Sequence, residues 1–208
     1  TWEWVDDRLL VFRPQKEWPV GGAFRVALDP RSVRAGVRLE TRILTFQTRP
    51  FSATVETLDA VQVPEAPTTW RVTARVAFSH PVDPATFESA VSVRVAARED
   101  PAMTIASLPV RVTYDAARRV AYLDSEAFTL PDDDATVLAS VQPSAASLEG
   151  RRPMERRVER FANLAGVKTV FQVQDVGLAF VENERQELDR VLVVRTSLPV
   201  DAAALAGS

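Results

Sequence analysis

The letters of a hydrolytic triad stand close together at one place in the chain, at Ser79, His80 and Asp83. His80 is the single histidine, so it alone has an ordinary pKa suited to general-base work near neutral pH. A histidine activates a hydroxyl only when the imidazole reaches it and an acid orients the ring. Neighbouring side chains on a strand point to opposite faces, so Ser79 and His80 are not expected to meet. A second copy of the surrounding motif carries Leu198 where His80 stands. The expected role of the three residues is therefore to end a strand and make a turn.

Three other groupings invite a chemical reading. Asp132, Asp133 and Asp134 follow Pro131, but a calcium loop spaces its ligands around a tight turn that commonly carries a Gly, and none follows in the right place. A solvated turn is expected. Arg151, Arg152, Arg156, Arg157 and Arg160 could meet an acidic partner or lipid headgroups, yet Glu149, Glu155 and Glu159 dilute them, and a solvated face is expected. Trp2, Trp4, Trp18 and Trp70 could stack sugars, but they are scattered among apolar segments, and packing between sheets is the expectation. Phosphate-cradling glycine loops, zinc spacings and nucleophile elbows are missing from the sequence. No catalytic, cofactor-binding or metal residue is assigned, and no cofactor is expected.

The elements that would position such residues are strands. Val72, Ala74, Val76 and Phe78 alternate with Thr73, Arg75 and Ala77, and Val110, Val112 and Tyr114 alternate around Arg111 and Thr113. Strands are expected over Phe51–Leu58, Trp70–Phe78, Val91–Val95, Pro109–Tyr114, Val120–Asp124 and Thr136–Val141. Ahead of Pro50, strand-like patterns cover Trp2–Val5, Leu9–Arg13, Phe24–Leu28 and Leu39–Thr48, with turns at Asp6-Asp7 and Trp18–Gly22. Short strands spaced by Pro- and Asp-containing turns predict an all-β fold of tandem antiparallel β-sandwich domains. Between Pro153 and Ala165 the apolar residues Met154, Val158, Phe161 and Ala165 fit a short amphipathic helix, while the quick stop at Asn163 and Gly166 fits an extended strand. Both readings stand at this point.

The most informative feature is a repeat. Ser79-His-Pro-Val-Asp83 and Ser197-Leu-Pro-Val-Asp201 each end an alternating strand and lead into an Ala-rich stretch holding Phe87 or Leu205. Ser79 and Ser197 are 118 residues apart, and the preceding strands, Phe51–Val55 and Phe171–Asp175, are 120 apart. The motif makes local sense: Pro removes a ladder donor and Asp bonds the amides ahead of it, so the stretch after it can close a helical turn. Boundaries near 50 and 166 follow. Residues 1–50 are the end of one module, 51–165 a whole module and 166–208 the first strands of a third.

Composition narrows the function classes. An apolar fraction of 46% is that of a globular protein rather than a disordered chain. The net charge of −3 gives no broad attraction to nucleic acid. With no cysteine there is no disulfide, thiolate metal site or thiol nucleophile. The apolar runs, such as Val191–Val194 before Arg195, are too short to cross a bilayer as a helix. The chain opens at Thr1 inside a strand-like pattern, without an initiator Met, and reads as a fragment.

Several motifs in order resemble the bacterial alpha-2-macroglobulins. They are Leu9-Val-Phe-Arg-Pro, Trp18-Pro-Val-Gly-Gly-Ala-Phe-Arg-Val26, Ile43-Leu-Thr-Phe-Gln-Thr48, Arg71–Asp83, Val112-Thr-Tyr-Asp115 and Val181-Glu-Asn-Glu-Arg185 to Asp201. The resemblance covers nearly the whole chain, as N-terminal macroglobulin-like (Ig-like) domains. It implies a large periplasmic protein, open to anchoring at the inner membrane through a missing N-terminus, that traps proteases in mimicry of host defence: a bait segment is cut and the molecule rearranges around the attacker. The thioester of some members needs a Cys, which this chain lacks, and no functional residue of the family maps onto it. The implied role is a non-enzymatic scaffold, its partners being neighbouring macroglobulin-like domains and, for the full-length protein, target proteases. A tandem Ig-like adhesin or cell-surface spacer, and an ancillary carbohydrate-binding β-sandwich of an enzyme, are the alternatives.

Overall fold

The computed structural model describes residues 1–6, 9–16, 18–29, 40–64, 66–183 and 185–200. Asp7, Leu39, Asp201 and the Ala-rich stretch with Leu205, all named above, lie outside the described residues. The fold is all-β, and every strand pairing among the described residues is antiparallel.

A two-sheet sandwich occupies the middle of the chain. One sheet is built from β5 (Ala53–Val63), β6 (Ala66–Phe78), β9 (Val110–Tyr114), β10 (Val120–Ser125) and the short β11 (Phe128–Thr129). The other runs in the order β13 (Val158–Leu164), β12 (Ala135–Val141), β7 (Val91–Ala97), β8 (Thr104–Leu108). Alternation along β6 puts Val72, Ala74, Val76 and Phe78 inward, all buried, as the sequence pattern predicts. They meet Val93, Val95, Val137, Ala139 and Val141 of the opposite sheet in one continuous core. Phe51, Phe78 and Phe87 seal one end, with ring centroids 6.0 and 5.0 Å apart.

Helix α1 (Pro84–Ala90) crosses between the sheets. Asp83 caps it by accepting from the Ala85 amide, and Pro84 stands at its first turn, where a missing N–H costs nothing. Phe87 on its inner side is fully buried. Strand β12 is buried along its whole length: Val137, Ala139 and Val141 join the core, and on the other face Leu138 is flanked by Arg94 of β7 and Phe161 of β13.

Residues 158–164 are extended, so of the two readings of the 153–165 stretch the strand is the observed one. The reason is tertiary: all seven residues of β13 pair with β12, from Ala135 opposite Leu164 to Val141 opposite Val158. Strand β8 had no counterpart in the alternation pattern, because Thr104-Ile-Ala-Ser-Leu108 mixes polar and apolar residues on both faces.

Among the described residues three hairpins lie outside the sandwich sheets: β1 (Trp2–Trp4) with β2 (Leu10–Phe12), β3 (Ala23–Ala27) with β4 (Ile43–Gln47), and β14 (Val173–Glu182) with β15 (Leu188–Thr196). The short helix α2 (Val167–Val170) leads into β14. Truncating Phe87 to Ala would empty the centre of the ring cluster and cost about 3–5 kcal/mol. Urea unfolding followed by tryptophan fluorescence should show this as a lower midpoint with an unchanged slope.

Candidate functional site

Ser79 and His80 lie in a bend past the end of β6, and there the expectation that they do not meet is corrected. Ser79 Oγ and His80 Nδ1 are 3.0 Å apart. The chain leaves strand geometry after Phe78, so opposite-face alternation no longer applies. The pair is not completed into a triad. Asp83 is engaged as the α1 cap and lies 3.8 Å from Arg151. Ser79 is engaged as well: its hydroxyl oxygen accepts the Ser52 amide at 3.0 Å, and its amide donates to the Ser52 carbonyl at 3.0 Å. What the motif builds is a clamp between the residue before β5 and the residue after β6.

The clamp recurs. Ser197 Oγ accepts the Gln172 amide at 2.8 Å, the Ser197 amide donates to Gln172 O at 2.9 Å, and the Ser197 hydroxyl donates to Val170 O at 2.8 Å. Pairing follows the same displacement. Ala53 faces Phe78, Leu58 faces Ala74 and Ala60 faces Val72; Val173 faces Thr196, Leu178 faces Leu192 and Phe180 faces Arg190. Each first strand also carries one irregularity near its start, between Val55 and Thr57 and between Val173 and Asp175. The two hairpins differ in cover. Leu58 is 5% exposed and Leu178 76%; Val76 is 0% exposed and Val194 49%. The β14–β15 hairpin thus shows the face that β5–β6 buries.

The Asp132–Asp134 turn is occupied by protein partners. Asp134 Oδ1 accepts the Gly166 amide at 3.0 Å and the Thr169 hydroxyl at 2.6 Å, while its other oxygen takes Arg98 at 2.8 Å. Asp133 pairs with Lys168 at 2.7 Å. Among the described residues no group of three or more His, Cys, Asp or Glu is arranged to hold a metal ion. The hydrogen bonds from Thr169 and Gly166 favour the ionised form and hold the Asp134 carboxyl below the usual carboxylate range.

The arginine cluster disperses. Arg160 reaches the other sheet and donates to Val55 O at 3.1 Å, Arg157 pairs with Glu159 at 2.5 Å, and Arg151 approaches Asp83. Of the tryptophans, Trp70 packs against the core, whereas Trp2 and Trp4 are 55% and 63% exposed, which corrects the expectation that all four are packed between sheets. A hairpin of two three-residue strands, paired with no other strand among the described residues, has no second sheet to cover it. Trp2, Phe12, Trp18, Phe24 and Phe46 form a chain of ring contacts. The rings from Trp2 to Phe24 meet at 50°, 57° and 76°, which makes a small packed cluster and not the flat row a sugar platform needs. Sequence reasoning did not single out Thr169 or the bonding role of Ser79 and Ser197; the signal available was the pair of serines 118 residues apart.

Two outcomes follow. Replacing Asp83 with Ala removes the α1 cap and should cost about 1 kcal/mol in urea unfolding. Asp134 has a folded pKa below its unfolded one, so its contribution is complete above the unfolded carboxylate range and is lost as pH falls through the lowered folded value. The stability gap between wild type and Asp134→Asn should therefore be widest near neutral pH and close on acidification, as read by denaturant melts across that range.

No protein-family model matches the chain. It is 23% identical over 197 residues to an "Alpha-2-macroglobulin homolog" of Yersinia pestis, a match covering 94% of this chain and 10% of that protein. It is 26% identical over 198 residues to an "Alpha-2-macroglobulin" of Pasteurella multocida (strain Pm70), covering 92% of this chain and again 10% of the relative. The chain spans about a tenth of the length of the curated relatives it matches. Over nearly its whole length, then, this chain is similar to two bacterial proteins named as alpha-2-macroglobulins, the family its motifs resemble.

Proposed function

We propose that the chain is a non-catalytic scaffold segment of a bacterial alpha-2-macroglobulin-like protease inhibitor working in the periplasm. It consists of the end of one macroglobulin-like domain (1–50), a complete one (51–165) and the opening strands of another (166–208). The observation that carries this reading is the recurrence of the serine clamp and the hairpin register, displaced by 118 residues from Ser79 to Ser197 and by 120 from Ser52 to Gln172. Strand pairs that share register share an inner face, and that face must be covered. In β5–β6 it is covered by the second sheet. In β14–β15 the matching residues Val176, Leu178, Leu192 and Val194 await the remaining strands of their own module.

The chemistry supports a scaffold. Ser79 and Asp83 are used up in strand-end and cap bonds, and the Asp133 and Asp134 carboxylates are taken by neighbouring residues. Among the described residues no helix is long and apolar enough to cross a membrane.

The test uses the full-length protein with trypsin as the attacker. Cleavage of the inhibitor should leave trypsin active on a small peptide substrate and suppress its action on a large protein substrate. Residues 1–208 alone should do neither. Unchanged digestion of the large substrate after cleavage would refute the trapping function. A melting temperature of this chain that rises on adding calcium would instead favour the adhesin reading.

A further inference from the structure

The connection leaving β4 and the connection leaving β13 are built to one plan. In each, a proline-containing loop ahead of the penultimate strand grips the first residues after the last strand. At the first, the Thr48 hydroxyl donates to Pro19 O at 2.6 Å, the Gly22 amide donates to Thr48 Oγ1 at 2.7 Å, and the Gly21 amide donates to Arg49 O at 3.1 Å. At the second, the Val167 amide donates to Pro131 O at 2.8 Å and the Lys168 amide to Asp132 O at 3.0 Å. Gly166 and Thr169 both donate to Asp134. The serine clamps then take over without a gap. Ser79 holds Ser52 with its amide and hydroxyl, and Ser197 holds Gln172 in the same way while donating to Val170.

Space is as restricted as bonding. A Cβ on Gly166 would sit 2.3 Å from the Asp133 carbonyl carbon and 2.7 Å from Asp132 O, and backbone cannot yield as a side chain would. Linkers between modules ordinarily allow relative motion unless a large apolar interface forbids it. Here short-range bonds and a glycine-only contact supply that restraint.

From these contacts we infer that the Pro131–Asp134 loop and the Gly166–Gln172 connection form a fixed joint, not a hinge, so that the β14–β15 hairpin is carried as one body with the central sandwich. The inference rests on the modular reading above but not on protease trapping, and a failed trypsin assay would leave it standing. A rotation imposed on one module would pass through such a joint to the next without being absorbed.

The chain has no cysteine, so two introduced ones can be labelled uniquely. Thr113→Cys on the sandwich and Glu182→Cys at the far end of β14 are both exposed positions. Nitroxide pairs there, measured by double electron–electron resonance on residues 1–208, should give one narrow distance distribution. Adding Gly166→Ala, or the pair Asp134→Ala and Thr169→Val, should broaden it about twofold, as expected of an ordinary mobile linker. Urea unfolding of the sandwich core serves as the control that each variant is folded, and the double variant stands in if Gly166→Ala is not. A broad distribution in the unmodified joint, or variants as narrow as the parent chain, would overturn the inference.

Discussion

Everything in this chain depends on how a hairpin is closed at its open end. The last amides of a strand pair have no ladder partner, and a polar group left unpaired there weakens the register. A Ser or Thr hydroxyl supplies the missing partner. Thr48, Ser79 and Ser197 each accept an amide from the residue that precedes the hairpin's first strand. Because side chains alternate with period two, a slip of one residue would turn every core side chain outward. The clamp thus sets which face of β6 becomes core, and through it where Val72, Val76 and Phe78 go.

From that constraint the sandwich follows. The inner face of β5–β6 meets β7, β12 and β13, and the crossing between sheets is made by the short α1, whose Phe87 plugs the end of the core. The lone hairpins are the same construction without the second layer. On β14–β15 the exposed Leu178, Leu192 and Val194 lie where β5–β6 has the buried Leu58, Ala74 and Val76. The difference lies in what packs on the two hairpins, since β14–β15 keeps the register of β5–β6 down to an irregularity near the start of its first strand.

The residues that first suggest chemistry end up serving this construction. Ser79 joins strands, Asp83 starts a helix, and Asp134 ties the chain leaving β13 to the loop ahead of β12. His80 sits beside Ser79 because both occupy the bend that the clamp creates. Polar side chains at strand ends are placed there to complete backbone hydrogen bonding, and a cluster of catalytic letters is a by-product of that need.

By itself the sequence determined the class of fold, most strand positions and the recurrence of the Ser-X-Pro-Val-Asp motif. Alternation along Val72–Phe78 and Val110–Tyr114, and the Asp-Pro start of α1, are local signals that reflect one chain segment and its burial. It left the 153–165 stretch open, because Met154, Val158 and Phe161 fit helical spacing while the quick stop at Asn163 and Gly166 fits an extended strand. Pairing with β12 decided that, and pairing depends on a partner about twenty residues away in sequence, which periodicity does not register. The meeting of Ser79 with His80, the exposure of Trp2 and Trp4, and the grip of Asp134 on Thr169 were likewise decided only in three dimensions. Each depends on where the backbone leaves a strand or on whether a second sheet is present, and residue type alone encodes neither.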